Sequence, residues 1–203
     1  MNTASRDIQT RVLSGAAIQA HVVDLARLRI EVFRQWPYLY EGDARYEASY
    51  LKVYLQSAHS IAVLAMEGGK VVGASTGLPL QDESVAFRKP FEAGPIAPSE
   101  VFYFGESVLL PPYRGRGLGH RFFDLREAHA RSLGGFRWTA FCAVQRDAGD
   151  PRQPPFHRGH EAFWRKRGYT PRPELSVRLP WNEIDVGEMD HVLTYWMRPL
   201  ERS

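Results

Sequence analysis

The chain has 203 residues, 44% of them hydrophobic and five of them tryptophan, with a formal net charge of +3. That is enough apolar material for the core of one domain spanning 1–203, and it excludes a disordered polyelectrolyte. The lone cysteine, Cys142, excludes an internal disulfide or a multi-cysteine zinc site, and no apolar run approaches the ~20 residues of a membrane helix.

The opening stretch, MNTASRDIQTRVLSG, lacks the apolar core of a signal peptide, so a cytoplasmic protein with no membrane partner is expected. Val22, Leu25, Leu28 and Val32 recur at helical spacing and predict an amphipathic helix over roughly 20–35, ended by Pro37. The aromatic stretch WPYLYEGD follows, and Tyr46, Tyr50, Val53 and Tyr54 suggest a second helix. SIAVLAM and VVGASTGLPL, joined at Glu67-Gly68-Gly69-Lys70, read as a hairpin. Gln81 to Ser99 is polar and proline-bearing, a loop with room for a short helix. EVFYFGESVLL is rich in β-branched and aromatic residues and predicts one strand ending at Pro111-Pro112.

From Leu118 the pattern turns helical, with Leu118, Phe122, Leu125 and Ala128 on one face until Gly134-Gly135. FRWTAFCAVQR is a further strand, DAGDPRQPPFHRGH a long loop, and EAFWRKRGY a short helix. ELSVRLPW and HVLTYWMRPL close the chain as strands. The pattern is mixed α/β, with a βαβ-like unit in the middle. Charge is uneven: Glu31, Glu41, Asp43 and Glu47 lie in the first half, while Arg114, Arg116, Arg121, Arg126 and Arg131 open a basic second half where an anion site is expected.

The order strand, YRGRGLG, helix sets backbone N–H groups without intrahelical partners at the positive end of a helix dipole. Gly115, Gly117 and Gly119 let a ligand approach the backbone, and Arg114 and Arg116 add full charge, a combination suited to pyrophosphate. The dinucleotide pattern G-x-G-x-x-G fails at His120 and Phe122, and no Gly-Lys-Ser/Thr is present. As an RG-type nucleic-acid tract the segment is too short and too well framed by apolar structure, so no nucleic-acid partner is expected. A plain glycine turn with incidental arginines remains the competing reading.

Arg114-x-x-Gly117-x-Gly119, after a strand and PPY and before an amphipathic helix, resembles the Q/R-x-x-G-x-G/A acetyl-CoA signature of the GNAT N-acetyltransferases. AFWRKRGY is similar to that family's fourth-helix segment, and the element order agrees over most of the chain. The resemblance implies an α+β GNAT fold, a mixed and mostly antiparallel sheet with a central splay, flanked by helices. It implies acetyl-CoA as cosubstrate and no metal, an amine of a small molecule or peptide as acceptor, and allows a homodimer. It places pyrophosphate on the N–H groups of Arg116, Gly117, Leu118, Gly119 and His120. It places the pantetheine arm along Ser107, Val108 and Leu109, with the thioester oxygen at a backbone N–H around Leu109.

Glu106, a carboxylate inside an apolar strand, is the expected general base, its alternative role being to anchor the substrate amine or pair with an arginine. The family's tyrosine acid position holds Trp164, which cannot donate in that role; Tyr169, Tyr195, His157, His160 or solvent are the substitutes. That departure keeps open a non-catalytic acyl-CoA-binding module as the alternative to an enzyme. WPYLYEGD falls where the family places its acceptor loop, so Trp36, Tyr38 and Tyr40 either cage a cationic substrate or pack the helix corner.

Overall fold

A computed structural model describes residues 7–201; the first six residues of the stretch read for a signal peptide, and Arg202 and Ser203, lie outside the described residues. In chain order the elements are β1 (Gln9–Ser14), α1 (Val22–Phe33), α2 (Ala44–Tyr50), α3 (Lys52–Gln56), β2 (Ile61–Glu67), β3 (Lys70–Pro79) and α4 (Val85–Glu92). They continue with β4 (Val101–Tyr103), β5 (Ser107–Leu109), α5 (Leu118–Leu133), β6 (Trp138–Val144), α6 (Glu161–Lys166), β7 (Thr170–Glu183) and β8 (Gly187–Pro199). The sheet runs β1-β2-β3-β4-β6-β8-β7, with β5 a second partner of β3. Every pairing is antiparallel except β4 with β6.

Two apolar layers sandwich this sheet. In β2, Ala62 and Leu64 face a cluster with Leu25 and Leu28 of α1, Tyr54 of α3 and Phe87 of α4. Ile61, Val63 and Ala65 face the other cluster, with Phe122 and Phe123 of α5 and Tyr169 at the start of β7. Period-two alternation between two buried faces explains why the strand reads as one apolar run. The second helix of the sequence reading is two short ones, α2 and α3; Asp43 caps α2 by accepting the N–H groups of Arg45 and Tyr46 at 2.9 Å. β1 was not expected, because QTRVLS buries only Leu13 and carries little apolar signal.

EVFYFGESVLL does not form the single strand expected. Three steps along β3, from Ser75 to Leu78, face four on the opposite side, from Ser107 to Tyr103. The extra residue is a β-bulge, closed by Gly105 N–H to Thr76 O at 3.2 Å and Thr76 N–H to Glu106 O at 3.1 Å. β4 follows β6, with Phe104 N–H to Ala140 O at 2.7 Å, while β5 stays on β3 alone. The sheet opens between β5 and β6.

Both faces hold the bulge. From α5, buried Arg126 donates to Thr76 O (3.0 Å), Glu106 O (3.2 Å) and Ser107 Oγ (2.8 Å), with its guanidinium 4.2 Å from the Phe104 ring centre. Burial lowers Arg126 to about 10, which still leaves it charged at neutral pH. From α3, the Tyr54 hydroxyl fills the space beside Gly105: a Cβ there would lie 1.8 Å from that oxygen and 2.8 Å from Thr76 Oγ1. Gly105→Ala should therefore push Tyr54 off the bulge and cost about 1–3 kcal/mol in urea unfolding, as overpacking of a filled core does. An unchanged midpoint would show that Tyr54 is free to move away.

Candidate functional site

The glycine bend forms the N-terminus of α5. Gly115 and Gly117 have φ of 75° and 80°, left-handed values that glycine adopts without strain, and Gly117 is the N-cap. Arg121 N–H reaches Gly117 O, but no backbone carbonyl among the described residues accepts from the N–H groups of Gly115 through His120. A Cβ on Gly115 or Gly117 would meet nothing within 4 Å, and Arg116 and His120 are exposed beside them. This is an open nest of donors at a positive dipole end, suited to a phosphate group. Gly119 lies inside the first helical turn, where a Cβ would touch Phe163 at 3.5 Å. Leu118 is buried and anchors the turn in the core. Arg114 points elsewhere: its guanidinium donates to Leu109 O and Gln35 Oε1, each at 3.0 Å, tying β5 to the end of α1.

The nest follows β5 across the Pro111–Tyr113 turn. Thr76 N–H to Glu106 O and Leu110 N–H to Val72 O fix which residues of β5 bond to β3. By antiparallel alternation Val108 pairs with Ala74, so its backbone is engaged and its side chain is buried. The backbone groups of Ser107 and Leu109 face the other way, into the opening toward β6. The Leu109 carbonyl takes Arg114, leaving its N–H as the donor in that opening.

Behind the bulge, Glu106 is buried and its Oε2 accepts from Arg29 Nη1 at 2.6 Å. Arg29 Nε donates to buried Glu47, and its guanidinium lies 4.0 Å from the Tyr50 ring centre. Burial works against the Arg29 charge, but Glu106, Tyr50 and Glu47 outweigh it and hold the group above its ordinary value. Burial raises Glu106, against the pull of Arg29 and the Thr76 hydroxyl. A third buried acid, Glu83, sits before α4 and is pushed up to about 7, first by burial and further by Glu106, against the Ser84 N–H. Arginine pairing and a raised carboxyl therefore coexist at Glu106.

Arg29 also floors a pocket of about 90 Å³ between α1, the α1–α2 loop, β4, β6 and β7. Phe33, Tyr38, Tyr40, Tyr50, Tyr103 and Trp181 supply aromatic walls, and Gly105 and Cys142 lie at the sheet opening. Tyr38 and Tyr40 thus line the pocket. Trp36 does not: its ring meets His157 at 6.2 Å and carries the Arg146 guanidinium at 5.5 Å. Burial raises the Cys142 thiol, which suits packing and not nucleophilic attack. Among the described residues no group of three His, Cys, Asp or Glu could hold a metal ion, and no helix is long and apolar enough to cross a membrane.

The model of the acetyltransferase (GNAT) family matches residues 25–160, from α1 to the loop before α6. The chain belongs to the GNAT acetyltransferase family. It is thus a transferase, an acetyl-CoA-dependent N-acetyltransferase. An acetyltransferase from Salmonella typhimurium with its cofactor acetyl-CoA superposes with TM-score 0.56 at 12% identity, covering 97% of this chain and 96% of that one. A ribosomal-protein-alanine N-acetyltransferase from Brucella melitensis gives 0.60 at 15%, covering 95% and 99%. An acetyltransferase from Thermus thermophilus gives 0.58 at 14%, covering 96% and 99%. At such identities the likeness carries the GNAT fold alone. No curated protein matches the sequence.

In this GNAT chain, Trp164 packs in an aromatic group, 5.0 Å from both Phe141 and Trp196. Tyr169 is wholly buried against Thr139 and Glu127, and Tyr195 donates to Phe87 O at 2.6 Å, so neither hydroxyl is free to act as an acid. His157 and His160 remain on the loop, His160 beside Trp164 at 5.8 Å. Sequence reasoning missed Arg29, Glu47, Glu83 and Trp181. For Arg29 a signal existed: it lies one position after Leu28 and four after Leu25, inside the apolar stripe of α1.

A carboxyl raised on folding stabilises the fold below its ordinary value of 4.5, and Glu83 loses that contribution as the pH climbs through about 7. Glu83→Gln, which keeps an oxygen for the Ser84 N–H, should match the parent near pH 4. By about pH 8 it should be more stable by about 3 kcal/mol. Urea titrations of both proteins across that range measure the difference, and a constant gap would mean that Glu83 titrates normally.

Proposed function

We propose that this acetyltransferase acetylates a primary amine by direct attack in a ternary complex, with the cosubstrate along the β5 edge and the acceptor in the aromatic pocket. The observation that carries the reading is the order along one segment: Gly105 lines the pocket, the free edge of β5 follows at 107–109, and the unpaired N–H nest follows at 115–120. The residues fit acetyl-CoA. The nest offers donors to the pyrophosphate, and Ser107 and Leu109 offer strand-like pairing to the pantetheine amides. The Leu109 N–H then points where the thioester oxygen gains charge in the transition state.

The amine lone pair attacks the thioester carbon, a C–N bond forms, and coenzyme A leaves as thiolate. The nitrogen gives up a proton, and Glu106, raised by burial yet anchored by Arg29, is assigned as the base, directly or through water. With Trp164 unable to donate, solvent protonates the thiolate. A thiol of pKa about 8.5 is a competent leaving group without a dedicated acid. A non-catalytic acyl-CoA module accounts for the nest but gives no role to buried acids beside the opening.

Acetyl-CoA at ~100 times its dissociation constant should stabilise the fold by ~2.7 kcal/mol, and ATP or NAD at equal concentration by much less. Gly117→Val should abolish this shift and cost about 1–2 kcal/mol of its own, because φ of 80° disfavours a branched side chain. Equal shifts from all three nucleotides would reduce the nest to a generic anion site.

Glu106→Gln should lower kcat by roughly 10²–10⁴ with acetyl-CoA affinity unchanged, and the residual rate should rise with pH as free amine becomes available. A loss confined to the acceptor KM would make Glu106 an anchor, and unchanged kinetics would remove it from the site.

A further inference from the structure

Resting on that reading, we infer that the acceptor is a small apolar monoamine and not a polypeptide. The first ground is the wall between the two segments that line the pocket. Tyr38 and Tyr40 come from the α1–α2 loop, and Leu179, Pro180 and Trp181 from β7. These segments are laced together: Glu41 N–H donates to Asn182 O and Ile184 N–H to Leu39 O, each at 2.8 Å. Tyr40 and Glu183 form an antiparallel bridge between them, and Trp181 Nε1 donates to Tyr38 O at 3.2 Å.

Arg146, arriving from the end of β6, locks the junction. It donates to Pro37 O at 2.6 Å, to Tyr38 O at 2.8 Å and to Glu183 at 2.7 Å. A polypeptide lying between loop and hairpin needs free backbone groups and a groove there. Here those groups are already paired with each other, so the acceptor enters as a separate small molecule.

Charge and size supply the second ground. Arg29 is the only charged side chain lining the pocket among the described residues, and Glu47 and Glu106 hold its guanidinium from behind. The reacting amine is neutral when it attacks and needs no counter-ion there. A second amine, protonated at neutral pH, would meet that guanidinium and aromatic walls with no carboxylate in the lining, and burying it unpaired is costly. A carboxylate on the acceptor would have to compete with Glu47 and Glu106 for that one guanidinium. The volume of about 90 Å³ is less than the ~150 Å³ of a cavity that takes benzene, so the pocket encloses a short chain or part of one ring.

The test is coenzyme A release by the full chain with butylamine, phenethylamine, phenylalanine, spermidine and two peptides, one offering a free N-terminus and one a lysine. Butylamine or phenethylamine should exceed each of the others by about tenfold or more in kcat/KM, as unpaired polar groups in a fixed apolar site discriminate. A peptide, spermidine or phenylalanine as the best acceptor overturns the inference. Calorimetric titration of the same compounds into the coenzyme A complex reads the pocket without chemistry. Preferred binding of the small monoamines with no acetyl transfer would sink the proposed reaction but keep the pocket's specificity; equal or weaker binding than the peptides would sink the specificity. Trp181→Ala should raise the phenethylamine KM about tenfold with acetyl-CoA affinity unchanged, and an unchanged KM also counts against the inference.

Discussion

One extra residue between Tyr103 and Ser107 governs the rest of the molecule. Without the bulge, β4 and β5 would be one strand paired on both sides, and neither a free edge nor an opening would exist. A bulge leaves backbone groups to be satisfied, and this one is satisfied from both faces of the sheet. Arg126 on α5 gathers Thr76 O, Glu106 O and Ser107 Oγ; Arg29 on α1 takes the Glu106 carboxylate. Arginine suits this work because its planar fork addresses several acceptors at once and stacks on rings, here Phe104 and Tyr50. The two helices that cover the sheet are thus also the parts that hold it open.

Such an arrangement carries a cost. Two buried carboxyl groups, Glu47 and Glu106, share one Arg29, and a third buried acid, Glu83, has no cation within ion-pair distance among the described residues. A fold optimised for stability would replace such groups with apolar ones of similar volume. Their presence next to the pocket follows the pattern in which strained electrostatics mark a working site.

Much of this was legible in the residues. The glycine nest could be read because positive φ and unpaired N–H groups are imposed by local sequence, at Gly115 and Gly117 in particular. The bulge could not: both VFYF and SVLL favour strand, and nothing local says that they belong to different partners. Trp36, Tyr38 and Tyr40 were read together, as a substrate cage or as corner packing, yet only the two tyrosines line the pocket while Trp36 turns toward Arg146 and His157. Glu47 was read only as part of an acidic first half and Glu83 carried no signal, since their burial depends on contacts distant in sequence. Arg29 and Arg126 were visible in principle, as arginines inside apolar helical stripes.

The absent tyrosine acid and the crowd of acids have one physical explanation on the proposed mechanism. An alkylamine with a pKa near 10.4 is protonated at neutral pH, and freeing its lone pair costs about 4–5 kcal/mol. A thiolate of pKa about 8.5 costs little to release and can wait for a proton from water. Help with proton transfer therefore matters on the acceptor side of the opening and little on the cosubstrate side. The chain distributes its chemistry in that way. Glu106, Glu83 and Glu47 lie near the aromatic pocket, while the position where the family resemblance puts the acid holds Trp164, whose ring packs on Phe141 and Trp196. On the proposed mechanism that position is free for packing, because the reaction asks little of it.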